Sequence, residues 1–251
     1  MKQIYQIDLL EEYPNVNFYS IHLDDEELTE LERFFEKFPV GCEYDEDIDV
    51  IVSWLDKIAE VGALERYFRP EGHYGDGVGV IPIDVGNKIR LYCLRLSDKI
   101  LVFGNGGVKD TPTWEESEEL APYVKILIDT SRFISSRIKN GTIVLVDKEI
   151  IGDLNLVEMK RSRVLEERRK HVNPETRERV SLSFQIVDRI HEILVQRNLR
   201  QKDLAEMLGK SEAEISKWMR GTHNFTIDTV VSIEEALQAP VLQVYHETAI
   251  A

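Results

Sequence analysis

Side chains that form hydrogen bonds readily with phosphates and with base edges are concentrated between residues 201 and 224. Lysine, arginine, serine, threonine and asparagine donate to phosphate oxygens, and glutamine and glutamate can also bond the edges of bases. Their spacing along two short apolar-periodic runs suits a surface that faces double-stranded DNA. The candidates are Gln201, Lys202, Lys210, Ser211, Glu212, Ser216, Lys217, Arg220, Thr222 and Asn224, together with Ala213, which has no such group but lies on the same predicted face as Glu212.

Four helices are predicted to carry and support these side chains. A small residue, Ala205, lets the third helix cross the second closely, and Gly209 permits a tight turn between them. The outer face of the third helix can then enter a major groove. The predicted helices contain Ile186 to Leu194, Gln201 to Leu208, Ser211 to Met219, and the residues that follow Thr226, which is predicted to cap the fourth helix.

The third helix carries the most specific chemistry. Ser211 and Glu214 have the spacing of a capping box. Glu212 either accepts a hydrogen bond from a cytosine amine or is simply solvated. Gln201, at the start of the second helix, is placed to reach a phosphate or a base. The flanking residues suited to phosphate contacts are Lys202, Lys210, Arg220, Thr222 and Asn224.

A second basic group occurs between residues 66 and 109, in an otherwise acidic region. Arg90 and Tyr92 alternate on one predicted strand and so share a face. Such a face could bind RNA phosphate, or promote attack of a ribose 2′-hydroxyl on the next phosphate without a metal or another cofactor. Alternatively, these are edge-strand cations that serve solubility. The catalytic candidates are Arg69, His73, Arg90, Tyr92 and Lys109, with His73, Glu71 or no residue as the general base.

The elements around this group predict an α+β fold of two helices and an antiparallel sheet. Apolar periodicity indicates a strand, two helices that form a hairpin, a three-stranded meander, a helix broken near Pro122 and a final strand or extension. The turns of the meander are predicted at Gly86-Asn87 and Ser97-Asp98. The segments are, in order, 16–22, 28–38, 47–61, 78–84, 88–96, 99–105, 114–138 and 142–151.

Charge divides the chain into two parts. Residues 1–156 hold 16 basic and 31 acidic side chains, whereas residues 157–251 hold 15 of each, so nucleic-acid binding must be local. We predict a domain over 1–156, a charged helix and linker over 157–181, and an all-α helix-turn-helix domain over 182–251. Two distant cysteines and the lack of a long apolar run argue against a disulfide framework, a signal peptide or a membrane span, and predict a cytoplasmic protein.

The segment QKDLAEMLGKSEAEISKWMRGTHNFT resembles the Xre/Cro-type helix-turn-helix family, and especially antitoxins of the HigA type. Gln201, Ala205, Gly209, Ile215 and Trp218 fall where the family pattern has these residue types. The resemblance implies a domain that binds operator DNA and represses transcription.

The segments ALERYFRPEGH and KIRLYCLRLSDKILVFGNGGVKDTPTW resemble the RelE/HigB toxin superfamily, in particular its Gp49-like branch. The family has two helices followed by an antiparallel sheet. Arg90 and Tyr92 match its arginine-bearing strand, and Lys109 matches its later basic segment. The resemblance implies ribosome-dependent cleavage of mRNA.

Together, the two resemblances imply a toxin and its antitoxin fused in one chain, in the gene order of HigBA-like operons. Met159 stands where a separate antitoxin could begin. The charged helix around 159–171 and the C-terminal domain would pack on the toxin module and mask its basic face, with arginines paired to its carboxylates. A homodimer would bind a palindromic operator.

Two alternatives remain open at this point. The first part could be a toxin module that has lost its activity, within a DNA-binding regulator. It could also be an unrelated domain that senses a small ligand and alters DNA affinity.

Overall fold

The computed structural model describes residues 5–24, 26–70, 76–81, 88–152 and 163–243. The chain forms two compact units, Met1–Glu178 and Arg179–Ala251. The boundary between them falls inside the segment 157–181, which the sequence predicts as a charged helix and linker. None of the helices within the described ranges is long and apolar enough to cross a membrane.

Unit 1 is built on a six-stranded sheet with the order β1-β2-β6-β5-β4-β3. The predicted meander is confirmed, since β4, β5 and β6 pair in sequence as antiparallel neighbours. The predicted antiparallel pairing holds for the sheet except at one place, where Asn17 to Ser20 of β2 pair in parallel with Ile100 to Phe103 of β6. The strands are β1 (Tyr5–Glu12), β2 (Asn17–Leu23), β3 (Arg69–Pro70), β4 (Val78–Val80), β5 (Ile89–Ser97) and β6 (Ile100–Val108).

Strand β1 is absent from the sequence prediction, and its register explains why. The strand pairs with β2, but the register shifts between Leu9 and Glu11, so the apolar alternation is interrupted. The adjacent Leu9 and Leu10 break the period of two by which an exposed strand is identified. The predicted turn at Gly86-Asn87 and residues 82–84 of the predicted first meander strand lie outside the described residues.

Helices cover both faces of the sheet. On one face, the Ser20 hydroxyl accepts from the backbone N–H of Leu31 in α1 (Glu30–Lys37), beside the edge-to-face contact of Phe18 with Phe103. On the other face, Tyr19 belongs to an apolar cluster with α3 (Leu120–Lys139). Neighbouring strand residues point to opposite faces, so α1 and α3 lie on opposite sides of the sheet. The helix α2 (Asp45–Val61) follows α1 and packs on β5.

Local sequence fixes the ends of these helices. Thr29 and Glu32 form a reciprocal capping box at the start of α1. The prediction that Pro122 breaks a helix over 114–138 is wrong, because α3 begins at Leu120 and carries Pro122 in its first turn. A proline is tolerated there, since the first turn has no N–H partner to lose. Residues 142–151 form a hairpin of β7 (Ile143–Val146) and β8 (Glu149–Gly152) rather than one strand.

The charged segment is more helical than predicted. Two helices, α4 (Arg163–Lys170) and α5 (Pro174–Gln196), are separated by only three residues. The predicted linker up to residue 181 is therefore largely helix, and Pro174 is the first residue of α5. Residues 153–162, including Met159, lie outside the described residues.

Arginines of α4 pair with the acids of unit 1. The Arg168 side chain is only 4% exposed, donates to Asp45 Oδ1 and lies 3.8 Å from Asp49 Oδ1. Arg169 donates to both Glu11 oxygens at 2.9 and 3.0 Å and to Asp56 Oδ1 at 2.8 Å. Burial lowers the pKa of Arg169, but electrostatic attraction to Glu11, Tyr13 and Asp56 outweighs this effect, so the pKa is raised overall. In unit 1, α4 thus lies on an acidic surface of β1 and α2.

Up to residue 243, where its described part ends, unit 2 contains helices and no strand. Its core is an apolar cluster that includes Ile190, Leu204, Ile215, Trp218 and Ile233. These residues belong to α5, α6 (Gln201–Leu208), α7 (Glu212–Lys217), the turn that follows α7, and α8 (Ile227–Leu237). The four predicted helices are therefore present, and the first extends well before Ile186, the first of the apolar positions from which it is predicted.

We predict that Arg169→Met destabilises unit 1 by about 3 kcal/mol, because it leaves the Glu11 carboxylate, 6% exposed, without its cation. Urea unfolding followed by tryptophan fluorescence measures the effect. Lys170→Met is the matched control, because Lys170 pairs with its exposed neighbour Glu167 on the same helix. Equal unfolding midpoints for the two variants would contradict the prediction.

We also predict that His22 makes stability depend on pH. Partial burial lowers its pKa, but the Asp8 carboxylate at 2.6 Å and the Glu26 carbonyl at 2.8 Å more than offset this, so the pKa is raised. Its contribution is complete below the unfolded pKa of about 6.5 and disappears as pH rises through the higher folded value. His22→Gln should flatten this part of the stability–pH curve, and an unchanged curve would refute the assignment.

Candidate nucleic-acid interface

The tight turn between α6 and α7 depends on Gly209. This residue has φ +62°, in the left-handed region, and the N–H of Lys210 returns to the carbonyl of Ala205 at 2.9 Å. Ala205 is 1% exposed and belongs to the apolar core of unit 2, as a small inward-facing residue of α6 should. The predicted role of the glycine is therefore confirmed.

The starts of α6 and α7 are capped in two different ways. The backbone N–H of Arg200 donates to the Asp203 carboxylate at 2.7 Å, and this bond lowers the pKa of Asp203. The Ser211 hydroxyl accepts from the N–H of Glu214 at 3.2 Å. This bond is one half of the predicted capping box. The other half, a bond to the Glu214 carboxylate, is absent, because that carboxylate pairs with Lys210 at 2.9 Å.

The predicted DNA-facing residues lie on the outer side of α7 and at the start of α6. Glu212 and Ala213 are exposed, whereas Ser216 and Lys217 are half-buried on the same helix. Gln201 and Lys202 occupy the first turn of α6, also half-buried. Helix α7 is thus short, with its polar face outward and Ile215 of its apolar face buried in the core.

An aromatic group fixes the segment after α7. Trp218 to Thr222 form a widened helical turn in which Gly221 has φ +78°. The Trp218 ring stacks on His223, with centroids 4.9 Å apart, and Phe225 packs edge-on against His223. Burial, and then Lys217, lower the pKa of His223, so this ring stays neutral at neutral pH. The exposed Asn224 lies between these two rings in sequence.

Helix α8 follows this segment and packs against α6. The Thr226 hydroxyl accepts from the N–H of Thr229 at 3.2 Å, which confirms the predicted cap. At the other end, the Arg197 guanidinium donates to the carbonyls of Leu237 and Gln238. The role of Arg197 is not apparent from the sequence, because its two partners are about forty residues away in the chain.

In unit 1, four of the five catalytic candidates lie at neighbouring positions. Arg69 of β3 is opposite Val80, which is itself opposite Tyr92 of β5. Lys109 follows β6 and is joined to Lys88 by a backbone hydrogen bond of 2.7 Å. Burial, followed by Arg90 and Arg69, lowers the pKa of Lys109, as expected for cations that repel one another. His73 lies outside the described residues.

Tyr92 is not on an open face. Its side chain is 0% exposed and belongs to the apolar cluster beneath α3. Burial raises the pKa of Tyr92 to about 12, with a smaller opposing effect from Arg90 and Arg69. The hydroxyl has no hydrogen-bond partner in the described part of the chain. Substrate would reach this hydroxyl only if its cover moved, and its catalytic role stays a prediction.

Two acids beside the basic group are absent from the sequence prediction. The Asp47 carboxylate accepts from the backbone of Lys88 and Ile89 and lies near Arg90. Glu119 sits so close to β6 that a Cβ on Gly107 would come within 2.3 Å of Glu119 Oε1. No sequence spacing joins these residues to Arg90. In the described ranges, no group of histidine, cysteine or acidic side chains is arranged to hold a metal ion.

The helix-turn-helix family HTH_3 matches residues 190–243, from the last two turns of α5 to the end of the described chain. No curated protein and no solved structure matched the sequence. The matched range contains α6, the glycine turn, α7 and α8. Residues 190–243 therefore form a helix-turn-helix domain of the Xre/Cro type, which supports DNA binding by this part of the chain.

We predict that Gly209→Ala destabilises unit 2 by about 1 kcal/mol, because alanine is strained at φ +62° although an added Cβ would meet no atom within 4 Å. Gly209→Asn should cost less, since asparagine tolerates the left-handed region. Thermal unfolding of both full-length variants tests the order. Identical melting temperatures would show that the turn relaxes without strain.

Proposed function

We propose that the protein is a transcription regulator that binds operator DNA through α6 and α7 and represses its own gene. The observation that carries the proposal is the exposed polar face of α7, held behind a glycine turn within a helix-turn-helix domain. Such a helix is positioned to enter a major groove with its outer side chains toward the bases.

The charge of unit 2 requires this binding to be local. Residues 179–251 contain 8 basic and 10 acidic side chains, so no overall attraction draws the unit to DNA. The cations Lys202, Lys217 and Arg220 lie on or beside the two helices of the proposed interface. We further propose that two copies bind a palindromic site, since a single short helix reads only a few base pairs.

We predict that Ala213→Glu weakens binding to DNA from upstream of the gene by roughly tenfold to hundredfold, about 1–3 kcal/mol, because it adds a carboxylate to the exposed face of α7. Fluorescence anisotropy of the full-length protein measures the affinity. Val195→Glu introduces the same group at an exposed site on α5 and is the control. Equal affinities for the two variants would place the DNA elsewhere, and no binding by the natural protein would reject the function.

A second candidate function is favoured by the basic group of unit 1. In this view unit 1 has a RelE/HigB-like fold, and the chain is a fused toxin and antitoxin whose toxin cleaves mRNA on the ribosome. The support is the order of elements after β2, namely two helices and then the β4–β6 meander, with Arg69, Arg90 and Lys109 at neighbouring positions. Mutually repelling cations suit a bound phosphate and the charge of a pentavalent transition state.

The contacts of α4 refine how such a toxin would be held. The α4 arginines bind the acids of β1 and α2, whereas the basic group lies on β3, β5 and the end of β6. Arg168 and Arg169 therefore do not mask the basic group by direct contact. Without catalytic competence, unit 1 would serve as an inactive or ligand-sensing module of the regulator.

We predict that residues 1–178, which keep α4 and its arginine pairs, arrest growth when expressed alone, whereas the full chain does not. The same fragment with Arg90→Ala should permit growth, because it removes a cation of the basic group. Induction in liquid culture with a solubility check measures the effect. A third fragment, 1–155, separates inhibition by α4 from inhibition by unit 2. Normal growth of cells that contain the unmutated fragments in soluble form would show that unit 1 is inactive as a toxin.

A further inference from the structure

The cations around α7 differ in how far nearby acids neutralise them. Lys210 forms an ion pair with Glu214 at 2.9 Å, and its ammonium lies 5.9 Å from the centre of the Trp218 ring. A phosphate that approached Lys210 would also meet the Glu214 carboxylate. The pair therefore presents almost no net charge to DNA, although its two side chains, 44% and 39% exposed, are both accessible.

Arg220 is in the opposite situation. Its side chain is half-buried in the turn after α7, and burial is the cause that lowers its pKa, with no carboxylate raising it again. Within the described ranges, no acid lies at ion-pair distance from this guanidinium. An arginine held at the edge of a domain without a counter-ion carries its full charge toward an incoming phosphate.

Ser216 holds that guanidinium in place. The Nη2 of Arg220 donates to Ser216 Oγ at 3.3 Å, across one turn of the helical segment. This bond uses one of the five N–H donors of the guanidinium. The remaining edge of the guanidinium is available for two parallel hydrogen bonds to a phosphate. Fixing the side chain before binding reduces the conformational entropy that is lost on contact.

We propose that Arg220 is a phosphate anchor of this interface, that Ser216 positions its guanidinium instead of reading a base, and that Lys210 adds no charge to binding. The inference rests on the proposed DNA-binding function. It keeps the phosphate contact that the sequence predicts for Arg220 and changes the roles of two other predicted DNA contacts, since Ser216 becomes a positioning residue and Lys210 a neutralised cation.

The test is the salt dependence of DNA binding by the full-length protein. The probes are a duplex from upstream of the reading frame and a shuffled duplex of the same composition, each titrated over a range of KCl concentrations. Each phosphate contact contributes about 0.9 to the slope of log K against log salt concentration. Arg220→Gln should lower that slope by about one on both duplexes, whereas Lys210→Gln should leave it unchanged.

Ser216 is tested by a double-mutant cycle. Ser216→Ala should weaken binding to both duplexes by the same factor, and should have no further effect in the Arg220→Gln background. Ser216→Thr, which keeps the hydroxyl, should restore affinity. Arg220→Lys should keep the slope but bind more weakly, because the charge remains and the planar fork is lost. Melting temperatures of the variants establish that each one is folded.

Three results would overturn the assignment. One is a slope that falls as much for Lys210→Gln as for Arg220→Gln. Another is an effect of Ser216→Ala that persists without Arg220, or that changes the preference for the upstream duplex over the shuffled one. The third is failure of the natural protein to bind either duplex at low salt, which would reject the DNA-binding function itself.

Discussion

The guanidinium groups of Arg168 and Arg169 neutralise an acidic surface on which the arrangement of unit 1 depends. A buried cation is tolerated only where carboxylates lie within reach, and these two arginines find them on β1 and α2. Their position brings Leu165 of the same helix to complete burial. The backbone N–H of Asn173 adds a bond of 2.7 Å to Asp49 just before α5 begins. The unequal distribution of charge along the sequence thus has a direct counterpart in the fold.

Short-range signals in the sequence are sufficient to predict most of the elements. Apolar spacing of three and four identifies the helices, and Gly209 and Thr226 mark a turn and a cap as predicted. A proline misleads the prediction at Pro122, because a proline in the first turn of a helix looks in sequence like one that interrupts it. The parallel pairing of β2 with β6 is not predictable, since no local pattern links strands that far apart.

The candidate sites also differ in whether they depend on short-range or long-range contacts. The helix-turn-helix is predictable because its geometry arises within one continuous stretch of the chain, which is also the stretch that the family match covers. The partners of individual side chains are not. Spacing alone does not show that Lys210 is paired with Glu214 while Arg220 reaches Ser216. The alternation of a strand puts Tyr92 on a face with Arg90, but whether that face is open depends on where α3 packs.

The pairing of β2 with β6 also sets an order in time. A strand that emerges early from the ribosome must wait for a partner that begins at Ile100, and the arginines of α4 are made later still. With synthesis at roughly 5–20 residues per second, several seconds separate the completion of the sheet from the arrival of Arg169. During that interval the acidic surface repels itself without its counter-ions. Because the acidic surface and the α4 arginines belong to one chain, both are made in the same translation event. They are therefore always produced in equal number.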